Sequence, residues 1–348
     1  DQLAVDRGHV RDLQSRMLQR GAVRRVLHVR GSGHHMSYGA SNVTAGALAY
    51  TANVDGSVTD INGDAVFSGT PQTAIEKAMT LCPIGKHVEV SRGEYTIGPQ
   101  LRFYRSIIGN GAKLITDGPV SAVTQYLIAA PSGNFGPTNM VKDIIISGLE
   151  LDGNTEDYAA KTYGGLQARY AKNIIIENCK VHDFPQSHGI QLQSGYYCTV
   201  RGCTISGIGD MERSGHYGNG ICSGQMYMDS DANYPAAYNL VEDCDISLCS
   251  MVGLNWEPGN NNLSRRVVVH DILPYWMNGS KKVKSRAVTT FSKTGLGAQN
   301  GNIYEDCTFT NDGVASSFNG GSIIARRCKF STPKATDEYG CGWALFIK

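Results

Sequence analysis

A short motif recurs down the C-terminal two thirds of this chain and restricts the possible folds more than any other feature. Its copies are DIIISGLEL, NIIIENCKV, TVRGCTI, NLVEDCDI, RVVVHDIL, NIYEDCTF and SIIARRCKF. We align them on one small or apolar position, at Leu149, Cys179, Cys203, Cys244, Ile272, Cys307 and Cys328. One such unit cannot bury a core alone, so neighbouring units must stack and share one. The repeat therefore predicts a β-solenoid.

The cysteines indicate stacking in a core rather than metal binding. Five of the ten cysteines lie at the aligned position. The sequence contains no CxxC pair and no CxxxH cluster, which argues against a zinc site. Because cysteine is small, apolar and readily buried, we expect a column of buried thiols. We expect a turn at the polar residue before each aligned position: Asn178, Gly202, Asp243, Asp271 and Asp306.

A second register follows the first and predicts an outer polar ladder. Its segments are GLQAR, GIQLQ, GICSG, GLNWE, AVTTF, GVASS and GWALF, which enter a strand from Gly or Ala. Period-two alternation turns Ile190 and Leu192 inward and Gln191 and Gln193 outward. Parallel coils stack ~4.8 Å apart, so equivalent side chains form a ladder along the solenoid. The same phase places further side chains on the outer face: Gln167, Arg169, Cys222, Asn255, Glu257 and Thr289.

Ionisable side chains are dense in the loops before these strands. A glycosidase needs a carboxylic acid and a carboxylate or base ~5 to 9.5 Å apart, and adjacent coils can bring Asp183, Asp210 and Glu257 to one cleft. A lyase instead needs a base with a tuned pKa and a group that neutralises a uronate carboxylate. For any one of these side chains, a solvated or loop-capping role is the alternative. The candidate catalytic residues are Asp183, His188, Asp210, His216 and Glu257.

Amide, basic and aromatic side chains in the same region predict substrate binding. Tyr and Trp offer large rigid faces on which a sugar ring can stack. For Trp256, packing in the core is the alternative. The candidate substrate-binding residues are Arg169, Gln191, Gln193, Tyr217, Asn219, Asn255 and Trp256.

One amphipathic helix precedes the repeats. Thr70 can cap its N-terminus, Pro71 suits its first position, and Pro83 ends it. Its apolar face consists of Ile75, Ala78, Met79 and Cys82. Because the first coil of a solenoid has an open core, we expect this helix to cover it.

The first 54 residues differ from the rest, so we predict two domains, 1–54 and 55–348. Residues 1–30 contain seven Arg and no Lys, and apolar spacing favours a helix near 2–20. We expect this segment to serve attachment or oligomerisation, with a solvated amphipathic helix and an RNA-binding arm as alternatives. Residues 31–69 form a Gly-rich, extended lead-in. Within it, Asp60-x-Asn62-x-Asp64 resembles the start of a calcium loop but lacks the Gly and Glu, which favours an ordinary turn.

Charge and hydropathy restrict the partners. With 32 Lys and Arg against 31 Asp and Glu, the net charge is +1, so we expect neither nucleic acid nor membrane as a partner. No apolar run approaches the ~18 residues of a membrane span. We expect no cofactor and no metal. A second incomplete calcium-like run, Asp229-x-Asp231-x-Asn233, leaves Ca²⁺ as the alternative.

Together, the helix, VEVSRGEYTIG, IIGNG and the repeated coils resemble the pectate-lyase-like right-handed parallel β-helix superfamily over residues 55–348. The layout is similar to bacteriophage tailspikes that bind and cut polysaccharides. The resemblance implies an all-β right-handed parallel β-helix with an N-terminal capping helix. It also implies a homotrimer in a virion tail or outside the cell that binds and degrades a cell-surface or acidic polysaccharide, as a lyase or hydrolase. Residues 1–30 would contact other virion proteins.

Departures from the superfamily's enzymes keep other functions open. Polygalacturonases carry N-T-D, D-D, G-H-G and R-I-K motifs, and only Ser187-His188-Gly189 is loosely comparable here. The Y-G-x-D-P-H motif of mannuronan epimerases is absent, and the Arg base of pectate lyases has no unambiguous counterpart. A non-catalytic structural or adhesive protein and a secreted uronan lyase or epimerase are therefore the alternatives.

Overall fold

A computed structural model describes residues 28–31, 34–98, 100–116, 125–131, 139–154, 163–209, 218–224, 236–257, 259–277, 281–283, 285–291, 301–311, 314–319, 322–332 and 346–347. Within them the chain forms one helix, α1 (Pro71–Leu81), and 38 strands. The first nineteen strands are β1 His28–Gly31, β2 His34–Ser37, β3 Leu48–Ala52, β4 Ser57–Asp60, β5 Ala65–Ser68, β6 His87–Val90, β7 Gly93–Ile97, β8 Leu101–Arg102, β9 Ser106–Gly109, β10 Ala112–Thr116, β11 Gln125–Ala129, β12 Val141–Lys142, β13 Ile145–Ser147, β14 Glu150–Asp152, β15 Tyr163–Arg169, β16 Ala171–Lys172, β17 Ile175–Glu177, β18 Lys180–Phe184 and β19 Ser187–Gln193. The others are β20 Thr199–Arg201, β21 Thr204–Ile208, β22 Gly218–Gly224, β23 Ala236–Ala237, β24 Leu240–Glu242, β25 Asp245–Ser247, β26 Val252–Trp256, β27 Gly259–Asn260, β28 Leu263–Arg265, β29 Val268–His270, β30 Tyr275–Met277, β31 Lys281–Val283, β32 Arg286–Phe291, β33 Asn302–Glu305, β34 Thr308–Thr310, β35 Val314–Asn319, β36 Ile323–Arg326, β37 Lys329–Ser331 and β38 Phe346–Ile347.

The chain divides into two compact units, Asp1–Ser37 and Tyr38–Lys348. In the first unit, β1 and β2 form an antiparallel hairpin. The helix expected near residues 2–20 lies outside the described residues. The attachment role expected for residues 1–54, and their separation from 55–348 as a domain, stay predictions.

Three long sheets form the second unit. Sheet I contains β5, β4, β3, β6, β9, β13, β17, β20, β24, β28, β33 and β36 in spatial order; sheet II contains β7, β10, β14, β18, β21, β25, β29, β34 and β37; sheet III contains β8, β11, β15, β19, β22, β26, β32, β35 and β38. Each coil contributes one strand to each sheet in turn, and successive coils pair in parallel. The prediction of a right-handed parallel β-helix is confirmed.

Helix α1 forms as predicted. Thr70 is its N-cap, and its hydroxyl accepts a hydrogen bond from the Thr73 backbone N–H. Ala74, Ile75, Ala78 and Met79 are buried and belong to the same core cluster as the first coil. The helix therefore covers the open end of the stacked core.

The column of buried thiols is confirmed at four of the five aligned cysteines, and the fifth, Cys328, is partly exposed. All nine described cysteines are free, and Cys179, Cys203, Cys244 and Cys307 are each at most 2% exposed. Each thiol donates to the carbonyl oxygen two residues earlier, at 3.2 to 3.4 Å. The side chain thus fills the core and also satisfies a carbonyl beside the turn.

One part of the alignment was wrong. The strand register pairs Asp245 with Val268, so Val267, not Ile272, occupies the position of Cys244. The preceding turn residue is Arg266 instead of Asp271, and its φ is 52°. Asp271 belongs to the next bend of the coil. In RVVVHDIL, three consecutive Val residues leave it open which residue takes the aligned position. In the other repeats a lone Cys marks that position.

Two further columns of side chains on successive coils were not predicted from the sequence: one of asparagines in the core, and one of charged residues on sheet I. Inside the core, Asn239, Asn262 and Asn302 are fully buried. Asn239 Oδ1 accepts from the Cys198 N–H at 2.8 Å, and Asn262 Oδ1 accepts from the Asn239 N–H at 3.0 Å. Asn302 Oδ1 likewise accepts from the Asn262 N–H at 3.0 Å. Each amide therefore satisfies a backbone donor of the preceding coil at the bend into sheet I.

On sheet I, opposite charges alternate from coil to coil. In the order of the coils, the column is Glu177, Arg201, Glu242, Arg265, Glu305 and Arg326. Arg201 pairs with Glu177 at 2.5 Å and Arg326 with Glu305 at 3.0 Å. Opposite charges directly across neighbouring strands stabilise a sheet. The column therefore supports one register of the stack.

Candidate functional site

The outer face of sheet III carries the predicted polar ladder. Gln167 lies beside Gln191 in the register, and Cys222 and Asn255 continue the same column. Ile190 and Leu192, which alternate with these residues, are fully buried in the core. We call this surface, with its members Tyr126, Gln167, His188, Gln191, Gln193, Asn219, Asn255 and Glu257, the amide face.

Hydrogen bonds join three glutamines on the amide face. Gln167 Nε2 donates to Gln191 Oε1 at 2.7 Å and to Gln193 Oε1 at 3.1 Å. The Tyr126 hydroxyl also donates to Gln191 Oε1, at 2.8 Å, and accepts from the Ser187 hydroxyl at 2.9 Å. These bonds fix the Gln191 carbonyl. Gln191 Nε2 has no acceptor among the described residues. Because Nε2 lies in the same amide plane as the carbonyl, the hydrogen bonds to the carbonyl also fix its direction.

Several buried polar atoms on this face lack partners. Asn219 Oδ1, Asn255 Oδ1 and His188 Nδ1 have no hydrogen-bond partner within the described part of the chain. Asn255 Nδ2 donates to Glu257 Oε2 at 3.0 Å, so only its carbonyl oxygen is unmatched. Buried polar groups nearly always have a partner. Because these atoms are themselves buried, ordered water suits them better than a ligand at the surface.

Burial keeps His188, Tyr126 and Cys222 of the amide face neutral. Desolvation lowers the pKa of His188 to about 4, so the imidazole is uncharged at pH 7. The Tyr126 ring lies 6.5 Å from that of His188, and burial raises the pKa of Tyr126. Burial and the Glu257 carboxylate raise the pKa of Cys222. This part of the face therefore offers neutral donors and acceptors.

We expect the stability of the protein to fall on the acid side because of His188. Its folded pKa of about 4 lies below the usual 6.5, so between these values the unfolded chain binds a proton that the folded chain does not. The contribution of His188 to the free energy of unfolding is complete above pH 6.5 and decreases by roughly 3 kcal/mol as the pH drops toward 4. Urea unfolding of the wild type and His188→Gln from pH 7 to 4 measures the effect.

His182 serves as a control, because its pKa is shifted in the opposite direction to that of His188. Its hydrogen bond to Asp183 raises its pKa, so its contribution is present below the unfolded pKa and falls as the pH rises through the folded one. His182→Gln should therefore change the alkaline side of the profile. Equal slopes for the wild type and His188→Gln between pH 4 and 6.5 would contradict the assignment.

The structure separates some of the predicted catalytic residues. Asp183 lies in β18 of sheet II, where its carboxylate contacts His182 Nδ1 at 2.6 Å. Glu257 follows β26 of sheet III, so the two carboxylates belong to different sheets. The predicted residues Asp210, His216 and Tyr217 lie outside the described residues. Their roles stay predictions.

The stacking role predicted for Trp256 was wrong. Its side chain is fully buried in the core, and Nε1 donates to the Ser264 hydroxyl at 3.0 Å. Neither ring face is therefore open to a sugar. Its partner in alternation, Asn255, takes the outer side. Arg169 lies at the edge of the amide face with its guanidinium 5.1 Å from the Tyr170 ring.

Carboxylates are scarce on the amide face. None of the described sheet III strands contains Asp or Glu, and Glu257 immediately follows β26. A glycosidase of the usual kind needs two carboxyl groups across the scissile bond. The described strands therefore supply a binding surface, and a second acid or base would have to come from a loop.

A possible metal-binding group lies on sheet II instead. Ligand atoms of Asp152, His182 and Asp183 lie within 4.8 Å of one another. They already have partners, because His182 Nε2 contacts Glu150 at 2.9 Å and Lys113 pairs with Asp152 at 2.8 Å. The cluster is thus satisfied by ion pairs.

The calcium-like run at Asp60 is a turn. Asp60 Oδ1 accepts the backbone N–H of Asn62 at 2.8 Å and that of Asp64 at 3.0 Å. The second run, at residues 229–233, lies outside the described residues. The expectation that the protein needs no cofactor stays a prediction.

Comparison with known proteins supports the fold. No family model matches the chain, and no curated protein matches it by sequence. Pectate lyase Pel9A superimposes with a TM-score of 0.55 at 13% identity, over 88% of this chain and 78% of the enzyme. The chain has the pectate-lyase-like parallel β-helix fold.

A second solved structure shares this β-helix. It is ORF18 of Geobacillus virus E2, with a TM-score of 0.53 at 12% identity over 80% of this chain. This chain covers 59% of that viral protein, which is less than two thirds of the viral protein's length. At these identities the likeness concerns the fold. Within the described residues, no helix is both long and apolar enough to cross a membrane.

Proposed function

We propose that this β-helix binds a polysaccharide along the amide face. The observation that carries the proposal is the column of amides on neighbouring coils, in which Gln191 is held by two donors. Coils repeat every ~4.8 Å, so the half-buried Gln167 and Gln191 offer donors and acceptors on successive coils, and Cys222 occupies the next position of the column. A polysaccharide presents hydroxyl groups in the same repetitive way. A flat row of amides on a rigid sheet suits such a ligand better than it suits a small compact one.

Neutral chemistry on this face supports hydrogen bonding as the source of affinity. His188 is uncharged at pH 7 because burial lowers its pKa to about 4. Gln167, Gln191 and Gln193 are half-buried on this face, so their amide groups can reach sugar hydroxyls. A site built to hydrogen-bond a hydroxyl discriminates strongly against ligands that lack it. We infer that the pattern of free hydroxyls selects the polysaccharide.

The two solved structures described above, which share this fold, are consistent with the proposal. One of them is a pectate lyase and the other a viral protein. We propose a virion or extracellular location on this basis, with cleavage as the finer proposal. Homotrimer formation and contacts of residues 1–30 with other virion proteins stay predictions.

Gln191→Leu should weaken polysaccharide binding by about tenfold or more, because it removes a donor and an acceptor and leaves the Tyr126 hydroxyl without its acceptor. Binding of the full chain to a panel of capsular and acidic polysaccharides, followed by calorimetry, measures the loss. Thr204→Leu, an equivalent polar-to-leucine change on the exposed face of sheet II, should bind as the wild type does. Equal affinity of the wild type and Gln191→Leu would refute binding at the amide face.

Products distinguish cleavage from adhesion. Ultraviolet absorbance of unsaturated ends indicates a lyase, whereas reducing ends alone indicate a hydrolase. Glu257 is the carboxylate bound to Asn255 on this face, so Glu257→Gln should abolish cleavage while binding remains. A panel that is bound but never cut would favour the adhesive alternative. Altered sugar stereochemistry without shorter chains would favour an epimerase.

A further inference from the structure

A second surface feature lies where the chain passes from sheet III back to sheet I. Short segments of successive coils pair there in parallel: Lys142 with Lys172, Lys172 with Tyr196, and Tyr196 with Ala237. A cavity of about 190 Å³ opens on this side. We call it the Tyr–Lys cleft, and its lining is Met140, Lys172, Tyr196 and Tyr197.

One tyrosine that lines the cleft, Tyr197, stacks on a second tyrosine, Tyr238. The rings of Tyr197 and Tyr238 lie 5.1 Å apart at an interplanar angle of 10°. Tyr238 comes from the following coil, whereas Met140 and Lys172 come from preceding ones. Tyr197 borders the cleft, whereas Tyr238 is not among the lining residues.

The backbone at both tyrosines is unfavourable for residues other than glycine. Tyr197 has φ 53° and Tyr238 has φ 58°. For a bulky side chain this left-handed conformation costs of the order of 1–3 kcal/mol, and such residues cluster at functional sites. The equivalent bends of neighbouring coils carry Asn173 and Asn261, which tolerate this conformation well. Aromatic rings at two successive bends thus oppose the local backbone preference.

Lys172 lines the cleft, and Lys142 lies beside it in register on the neighbouring strand. Lys142 and Lys172 are exposed on neighbouring strands, and neither has an ion-pair partner among the described residues. Like charges directly opposite each other destabilise a sheet. On sheet I of the same β-helix, by contrast, every such position alternates in sign, as with Glu177 and Arg201. The lysine pair is therefore an uncompensated positive site beside an aromatic side chain.

We propose that the Tyr–Lys cleft binds an acidic saccharide, with a sugar ring against Tyr197 and its carboxylate or sulfate at Lys172 and Lys142. The inference rests on the proposed function for the class of polymer, but it uses a different surface. The glutamines of the amide face bind hydroxyls, whereas the cleft combines an aromatic side chain with cations. The saccharide would thus be held at two places on the β-helix.

Titration of the full chain with a hexauronate, followed by NMR and calorimetry, tests the inference. Tyr197→Gly should weaken binding at the cleft about tenfold, because it removes the aromatic face. Glycine accepts the positive φ, so this variant keeps the backbone conformation. Lys172→Gln should weaken binding several-fold and reduce its dependence on salt. Lys329→Gln, at an exposed lysine of sheet II, is the matched control and should bind as the wild type does.

The outcomes separate the two proposals. If Tyr197→Gly loses one binding step and Gln191→Leu loses another, both surfaces bind. Loss only in Gln191→Leu would overturn the cleft and keep the amide face, and loss only in Tyr197→Gly would do the reverse. A neutral hexasaccharide that binds the cleft equally well would refute the role of the lysines. Tighter, Tyr197-dependent binding of single-stranded oligothymidylate would overturn the saccharide as the occupant.

Discussion

Asn262→Leu is expected to lower the free energy of unfolding by about 2 to 4 kcal/mol. The Asn262 side chain is fully buried, and its Oδ1 accepts the Asn239 backbone N–H at 3.0 Å. Leucine has a similar size but no acceptor, so a buried N–H is left without a partner. The substitution also removes Asn262 Nδ2, which donates to Asn302 Oδ1 at 3.1 Å. Urea unfolding monitored by circular dichroism measures the change.

Asn62→Leu is the control for this substitution. Asn62 is exposed in the turn between β4 and β5, where a surface change typically costs within about ±0.5 kcal/mol. A similar effect of the two substitutions would show that the interior ladder contributes no more than a surface amide. The comparison also separates loss of the acceptor from the general effect of introducing leucine.

Gly253→Val should destabilise the protein by about 3 kcal/mol or more. A Cβ at Gly253 would overlap Val269 Cγ1 and would lie 2.8 Å from the Ala287 carbonyl oxygen. Val269 is fully buried, with a stiff branched side chain, and cannot move away without disturbing the core. At this corner, sheets II and III approach too closely for side chains. Thermal and urea unfolding of the variant measure the loss.

Gly85→Ala is the matched control for Gly253→Val. Gly85 has φ 81°, and a Cβ added there would have no atom within 4 Å, so alanine costs only backbone strain, about 1 kcal/mol. Gly189 and Gly220 show the same crowding against sheet II as Gly253. If Gly253→Val were no more harmful than Gly85→Ala, the close approach at the corner would be contradicted.

Much of the fold follows from periodicity. Ile190 and Leu192 point inward because alternation with period two is a property of any strand. The Cys column was predictable because one small residue type recurs at one place in the repeat. In RVVVHDIL, every nearby residue is equally apolar, so Val267 and Ile272 could not be distinguished. The alternation of Glu177, Arg201 and Glu242 two residues before each aligned position was a readable signal that the alignment on cysteine did not use.

The candidate site was only partly predictable. The outward amides follow from strand phase, and Gln167 and Gln191 lie where expected. The placement of Asp183 on sheet II, apart from Glu257, could not be read from the sequence, because it depends on where the chain leaves sheet II. Trp256 obeys the same alternation as Leu192 and is therefore buried. Attention to strand phase, rather than to aromatic character, would have assigned it to the core.

The sequence alone determined the repeat, the parallel stacking and the phase of the strands other than that of RVVVHDIL, because these depend on which residues alternate along a few consecutive positions. Only the tertiary structure decided which side chains of different coils meet. The hydrogen bond from Tyr126 to Gln191 and the stack of Tyr197 on Tyr238 join residues far apart along the chain. Such contacts depend on the length of every intervening loop and on the twist between coils, which no local pattern encodes.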